Sequence, residues 1–260
     1  MTGEDQSGGR AWGDWAAMAG FGLVASAAFV PVHPLILVIA GFGLIYFGIF
    51  RKHKYLSYMA LVLAGAFCFL QAPPYYVFVW PVPLLICFAT LIGVWYCQRH
   101  STSPTPPFIR LGTLSFQDFC LALAISAVSV VILLIWFRLT DPDVSNLSEQ
   151  IPDIGPLAMV GLAIVFSIVN AVLEETVWRG AIQSWLTTII SAPAAILLQA
   201  ISFGAPHLHG FPNGILGIFL ATCYGVLLGA LAQKTNGLAA PLAAHIFTDL
   251  AIFYILLSLV

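Results

Sequence analysis

Seven residues near the C-terminal end of the chain have the types and spacing for acid–base chemistry: Glu174, Glu175, Arg179, Phe203, His207, His245 and Asp249. In Glu174-Glu175-Thr176-Val177-Trp178-Arg179, Glu175 and Arg179 are four apart, so on a helix they share a face and can pair. Glu174 lies about 100° round the same helix and is not matched to Arg179 in that way. One carboxylate is thereby neutralised and its neighbour left available as a general base or acid. Phe203 and His207 repeat the four-residue spacing, so the ring of one can support the imidazole of the other. Pro206 cannot donate to the carbonyl of Ser202 and bends the chain just before His207. His245 and Asp249 form a third pair of the same kind.

Each pair also has a plain structural reading. Two adjacent glutamates can mark a helix end at an interface, a buried histidine is often only a packing group, and His245 and Asp249 can satisfy one another. The three pairs together are harder to explain so. From Pro156 onward the other ionisable side chains are only His209 and Lys234, and Lys234 lies in an obvious loop.

The elements that must carry these residues are membrane spans. Of 260 residues 60 % are hydrophobic and 8 % charged, against roughly a quarter charged in a soluble domain. A formal net charge of −2 excludes a strongly basic nucleic-acid binder and an acidic tail. A bilayer core takes about 20 apolar residues as helix. Candidate spans are 14–31, 33–50, 57–72, 77–97, 117–138, 156–186, 190–209, 213–232 and 238–259. Gln71-Ala72-Pro73-Pro74 makes a hairpin of the third and fourth. The stretch 156–186 exceeds one straight span, so it is expected to tilt, to run on along the interface after Arg179, or to break near Gly180. The expected fold is an all-α polytopic bundle of eight or nine helices, with the site among the last four. Ionisable groups in such helices cost a few kcal/mol each in lipid, so they normally face a protein interior and carry function.

The N-terminus, with Glu4, Asp5, Arg10 and Asp14, lacks the positive start of a secretory signal, and the first span is expected to be retained. Arg51, Lys52 and Lys54, then Arg99 and Arg110, then Lys234 fall in alternate loops. Asp141, Asp143, Glu149 and Asp153 fall opposite. Positive loops mark the cytoplasmic side, which places the N-terminus inside if the helix count is odd. The polar loops Gln98 to Arg110 and Thr140 to Pro156 are too short to be domains. The second divides residues 1–155, expected to be accessory or to select the substrate, from a catalytic core at 156–260. The cysteines Cys68, Cys87, Cys97, Cys120 and Cys223 have no metal-binding or redox spacing.

Glu174-Glu175-xxx-Arg179, Phe203-xxx-His207 and His245-xxx-Asp249 resemble the three ordered motifs of the CPBP intramembrane proteases, which include the type II CAAX prenyl endopeptidases and Abi-like proteins. The resemblance covers about the last hundred residues. It implies a multi-pass endopeptidase of a prokaryotic cell membrane that depends on glutamate and needs no metal or cofactor. Its substrate would be a protein or peptide with a hydrophobic or lipid-modified terminus. By position, Glu174 with His207 would activate water, and Glu175, Arg179 and Phe203 would hold the site in shape. His245 and the residue at 249 would stabilise the oxyanion. Many members have Asn at that last position, where this chain has Asp249. A carboxylate donates only when protonated, so either Asp249 is neutral or it orients His245 and the imidazole supplies the proton.

Peptide hydrolysis needs a base for water, stabilisation of the carbonyl oxygen and a proton for the leaving amine; Glu, His, His and Asp converging in one pocket can supply all three. No Gly-x-Ser-x-Gly or His-Glu-x-x-His signature is present. Three other readings stay open. One is a zinc site of His207, His209 and His245 with Glu174 or Asp249; the others are a non-catalytic scaffold that binds hydrophobic peptides, and a proton-coupled transporter. One distance does not close. With a hairpin turn near Ser191, Glu174 lies about 22–27 Å from the inner side, while His245 is only about 10 Å beyond Leu238.

Overall fold

A computed structural model describes residues 81–99, 108–145, 151–208 and 210–258, with Tyr55, Tyr58, Met59 and Val62 besides. The expected spans 14–31 and 33–50, the turn at Gln71–Pro74, most of 57–72, and Glu149 and His209 lie outside the described residues. Within them the chain is helical, with no strand. Six helices are described: α1 (Val82–Gln98), α2 (Phe116–Thr140), α3 (Pro156–Leu186), α4 (Ala192–Gly204), α5 (Gly214–Thr235) and α6 (Ala239–Leu257). Of these, α2, α3, α5 and α6 are long and apolar enough to cross a membrane. α1 and the run Ala192–Leu208 are shorter apolar helices.

Local chemistry fixes the helix ends. The Ser115 hydroxyl accepts from the Asp118 amide at 3.1 Å, and the Asp118 carboxylate accepts from the Ser115 amide at 3.2 Å, a reciprocal cap that starts α2. Pro156 and Pro193 occupy the first turns of α3 and α4, where a missing N–H costs nothing. α2 and α5 stop at left-handed residues, Asp141 and Asn236, whose amides close onto Phe137 and Ala232.

α3 is continuous through Gly180 and does not break there. It widens into a π-helical stretch over Thr176–Gln183, and the Ser184 hydroxyl donates to the Arg179 carbonyl at 3.3 Å, compensating the altered ladder. The widened turns bring Arg179 and Gln183 against α5. Gln183 Nε2 donates to the Gly229 carbonyl at 2.9 Å, and Gln199 of α4 donates to the Gly225 carbonyl at 2.9 Å. A Cβ on Gly229 would lie 2.6 Å from Gln199 Nε2 and 2.8 Å from Gln183 Oε1, so a larger residue would push both amide ends from their present places. Such close approach on small residues, with interhelical hydrogen bonds, holds helices together where lipid is as apolar as the packing surface.

The two ends of the bundle are distinct. At one, Leu238 and Ala239 donate to the carbonyls of Arg110 and Leu111 at 2.8 and 3.0 Å, Thr113 donates to Thr235 at 2.9 Å, and Lys234 pairs with Asp118. At the other, Asn213 donates to the Asp143 carbonyl at 2.9 Å, and Phe211 packs edge-on against Trp136 at 5.2 Å. The first is the end of Arg110 and Lys234, the second the end of Asp141, Asp143 and Asp153.

This arrangement closes the depth mismatch left by the sequence. A Cβ on Gly180 would meet the Phe108 carbonyl oxygen and lie 3.5 Å from Leu238 Cδ1, so Gly180, not Ser191, is level with the start of α6. Counted from there, Glu174 and His245 are about 9 and about 10 Å deep. The last turns of α3 overshoot that level, where Trp185 is fully buried and packs 6.0 Å from Tyr58.

Candidate active site

Glu174 and Glu175 stand at the end of the regular part of α3, and their surroundings differ as the spacing predicts. Glu175 is fully buried; its Oε1 accepts from Arg179 Nη1 at 2.8 Å and from His245 Nδ1 at 2.7 Å. Arg179 stacks over the Phe203 ring at 4.3 Å and reaches the Gly225 carbonyl at the 3.5 Å limit of hydrogen bonding. Phe203 also meets the His245 ring edge-on at 6.1 Å and Trp178 at 5.6 Å. Glu174 points the other way. Its side chain is 17 % exposed, against 0 % for Glu175, and it borders a cavity of about 410 Å³.

His245 joins the groups. With Nδ1 donating to Glu175, its Nε2 faces Glu174 Oε2 at 3.5 Å and Asp249 Oδ1 at 3.6 Å. A ring nitrogen turned toward two carboxylates is stabilised by a proton, because a lone pair there would repel both. Tyr224 of α5 packs edge-on to the same ring at 5.8 Å and donates through its hydroxyl to Thr248 at 2.9 Å. The i, i+4 pair of His245 and Asp249 is thus present but loose, and the tighter contacts of His245 run to α3.

His207 lies on a 3₁₀ turn, Ala205–Leu208, that follows α4; Pro206 ends the regular helix as expected. Its Nδ1 contacts the Phe203 carbonyl at 3.2 Å, and a carbonyl only accepts, so Nδ1 carries a proton and in the neutral ring Nε2 is the acceptor. The rings of Phe203 and His207 pack at 5.4 Å. Glu174 and His207 border the same cavity. Among the described residues no group of three or more His, Cys, Asp or Glu is arranged to hold a metal ion, and His209 lies outside them.

The cavity runs from these polar groups toward the acidic end. Glu174, Asn170, His207, His245 and Asp249 form its inner part; Ile132, Leu133, Phe166, Phe211, Leu220 and Phe253 line its walls; Ile151, Pro152 and Leu256 stand at its outer end. The loops that close the basic end contribute nothing to it. Exposed Val128 and Ile132 of α2, with Cys223 and Leu227 of α5, border it toward the lipid-facing surface. α2 precedes residue 156 yet forms one wall, anchored to α6 by the Ser126 hydroxyl donating to the Ala244 carbonyl at 2.6 Å.

Among the polar residues of this neighbourhood outside the motifs are three amides. Asn170, one turn before Glu174, donates to Asp249 Oδ2 at 3.0 Å. Gln183 and Gln199 hold α5. Their signal was the isolated amide in an apolar run, the feature that singled out the charged residues.

Residues 156–251 match the family model described as Rce1-like, type II CAAX prenyl endopeptidase Rce1-like. The matched segment contains all three motifs, and the family is one of membrane proteases. No curated protein and no solved structure matches the chain.

Proposed function

We propose, from that match and from the division of labour between the paired glutamates, that the chain is a glutamate-dependent intramembrane endopeptidase. It hydrolyses a peptide bond near the hydrophobic or lipid-modified end of a protein. The observation that carries the reading is Glu174, a carboxylate turned into an apolar-walled cavity while its neighbour is locked in a buried ion pair.

In this reading Glu174 takes a proton from water as the water attacks the scissile carbonyl, and returns it to the leaving amine. His207 Nε2, the acceptor left by the Phe203 contact, orients that water. His245 offers Nε2–H to the oxyanion, its ring held by Glu175 behind and Asp249 beside it. Asp249 acts on the imidazole, so the absence of an amide at 249 does not remove the donor. Glu175, Arg179 and Phe203 keep these groups in register. The apolar walls accept the hydrophobic end of the substrate. If the basic end is cytoplasmic, as positive loops indicate, the cavity faces the opposite leaflet, and with an odd number of spans the N-terminus lies inside. The region before residue 156 then contributes to substrate choice, beginning with the α2 wall.

The test is cleavage, in membranes, of a panel of co-expressed proteins with prenylated, acylated or unmodified hydrophobic tails. Wild type is compared with Glu174→Gln and His207→Ala, with and without a chelator. Cleavage lost in both variants and indifferent to chelator is the expected result. Chelator-sensitive cleavage would replace the glutamate mechanism by a metal one. No cleavage of any member, with a hydrophobic peptide still bound, would make the protein a scaffold.

A further inference from the structure

Asn170 is a polar residue of the cavity that lies outside the three motifs and meets one of their carboxylates directly. It lies on the α3 face that carries Glu174, one turn earlier, and is buried. Its Nδ2 donates to Asp249 Oδ2 at 3.0 Å, while Asp249 Oδ1 faces His245 Nε2 at 3.6 Å. The carboxylate is therefore held between an amide on α3 and an imidazole on its own helix. On the α5 side the adjacent residue, Thr248, is fixed separately by Tyr224.

An ionised carboxylate can only accept, and out of water a donor that fixes one of its oxygens offsets part of the cost of burial and sets the direction of the other. We infer that Asn170 is a positioning residue of the hydrolytic site: its amide fixes the Asp249 carboxylate so that Oδ1 turns to His245 and keeps the proton on Nε2, where the carbonyl oxygen would be met. The inference rests on the endopeptidase reading. It also makes the importance of residue 170 depend on the chemistry at 249. A carboxylate at 249 needs the donor from α3. An amide at 249 brings its own N–H and does not.

The experiment is a double-mutant cycle on the detergent-purified full chain. Asn170→Leu, which removes the amide and keeps the γ-branched outline, is made in the wild-type background and in the Asp249→Asn background. The probe is a fluorescence-quenched peptide bearing a farnesylated cysteine near its C-terminus. In the wild-type background the substitution is expected to lower kcat by about 30-fold and to leave KM within about threefold; in the Asp249→Asn background the same substitution should cost less than about threefold. Asn170→Ala repeats the cycle if leucine prevents folding, with the unfolding transition of each variant as control. Equal losses in both backgrounds, or a loss confined to KM, would overturn the inference and leave Asn170 a packing residue. A wild type inert on this probe and on the whole tail panel would overturn the endopeptidase reading, and the positioning role with it. An active wild type with additive losses would overturn the inference alone.

Discussion

At the end of the bundle where Leu238 meets Arg110, two loops are joined by backbone hydrogen bonds and the interior is closed by Trp178, Gln183 and Trp185. At the other end the same helices part around an apolar cavity. Glu174 and Glu175 sit on the boundary. Glu175 faces the closed side, where its Oε1 is held by Arg179 and His245 at 2.8 and 2.7 Å, with Phe203 beneath the guanidinium. Glu174 faces the open side. Two chemically identical residues, adjacent in sequence, are thus divided between framework and chemistry by which half of the bundle they address. A buried charge pair adds little net stability, but removing one partner strands the other, so such pairs fix geometry more than they strengthen the fold.

The largest expected effect that would sharpen this contrast lies on the closed side. Arg179→Met removes one of the two donors that hold buried Glu175 and should cost about 3–5 kcal/mol of stability. It would be read as a large drop in unfolding temperature in detergent, with activity lost in proportion to folded protein. Unchanged stability would mean that the closed side is not held by this pair. Next is the open side: Leu220→Trp narrows the cavity wall and should raise KM about tenfold, roughly 1.4 kcal/mol, with kcat and unfolding temperature little changed. A loss confined to kcat would place the substrate elsewhere. Smallest is the cap at the basic end. Ser115→Ala should cost about 1 kcal/mol and leave KM unaltered, because the end it secures contributes nothing to the cavity.

Much of this was legible in the sequence, for identifiable reasons. The four long described helices α2, α3, α5 and α6 fall within a few residues of the apolar runs, because length and hydropathy suffice to define a span; α4 stops at Gly204, short of the expected 190–209. The pairing of Glu175 with Arg179 and the support of His207 by Phe203 followed from i, i+4 geometry, which is local. What did not follow is non-local. Spacing paired His245 with Asp249, whereas its shortest contact runs to Glu175, 70 positions away. The π-helical stretch left no periodic signal, and measuring depth from Ser191 misplaced Glu174 because the overshoot of α3 is visible only where Gly180 meets Phe108. Asn170 escaped because an amide carries no formal charge, although burial in an apolar helix marks it as surely.

The central claim is that the adjacent glutamates have opposite jobs, and the most direct test measures both properties on both residues. Glu174→Gln and Glu175→Gln would be purified side by side, with unfolding temperature and kcat taken from the same preparations. Glu174→Gln should keep the wild-type unfolding temperature and lose about 10²–10⁴-fold in kcat, the range a general base contributes. Glu175→Gln should unfold markedly earlier and retain measurable turnover in its folded fraction. Parallel losses in the two variants, or a Glu174→Gln chain that still cleaves, would contradict the account.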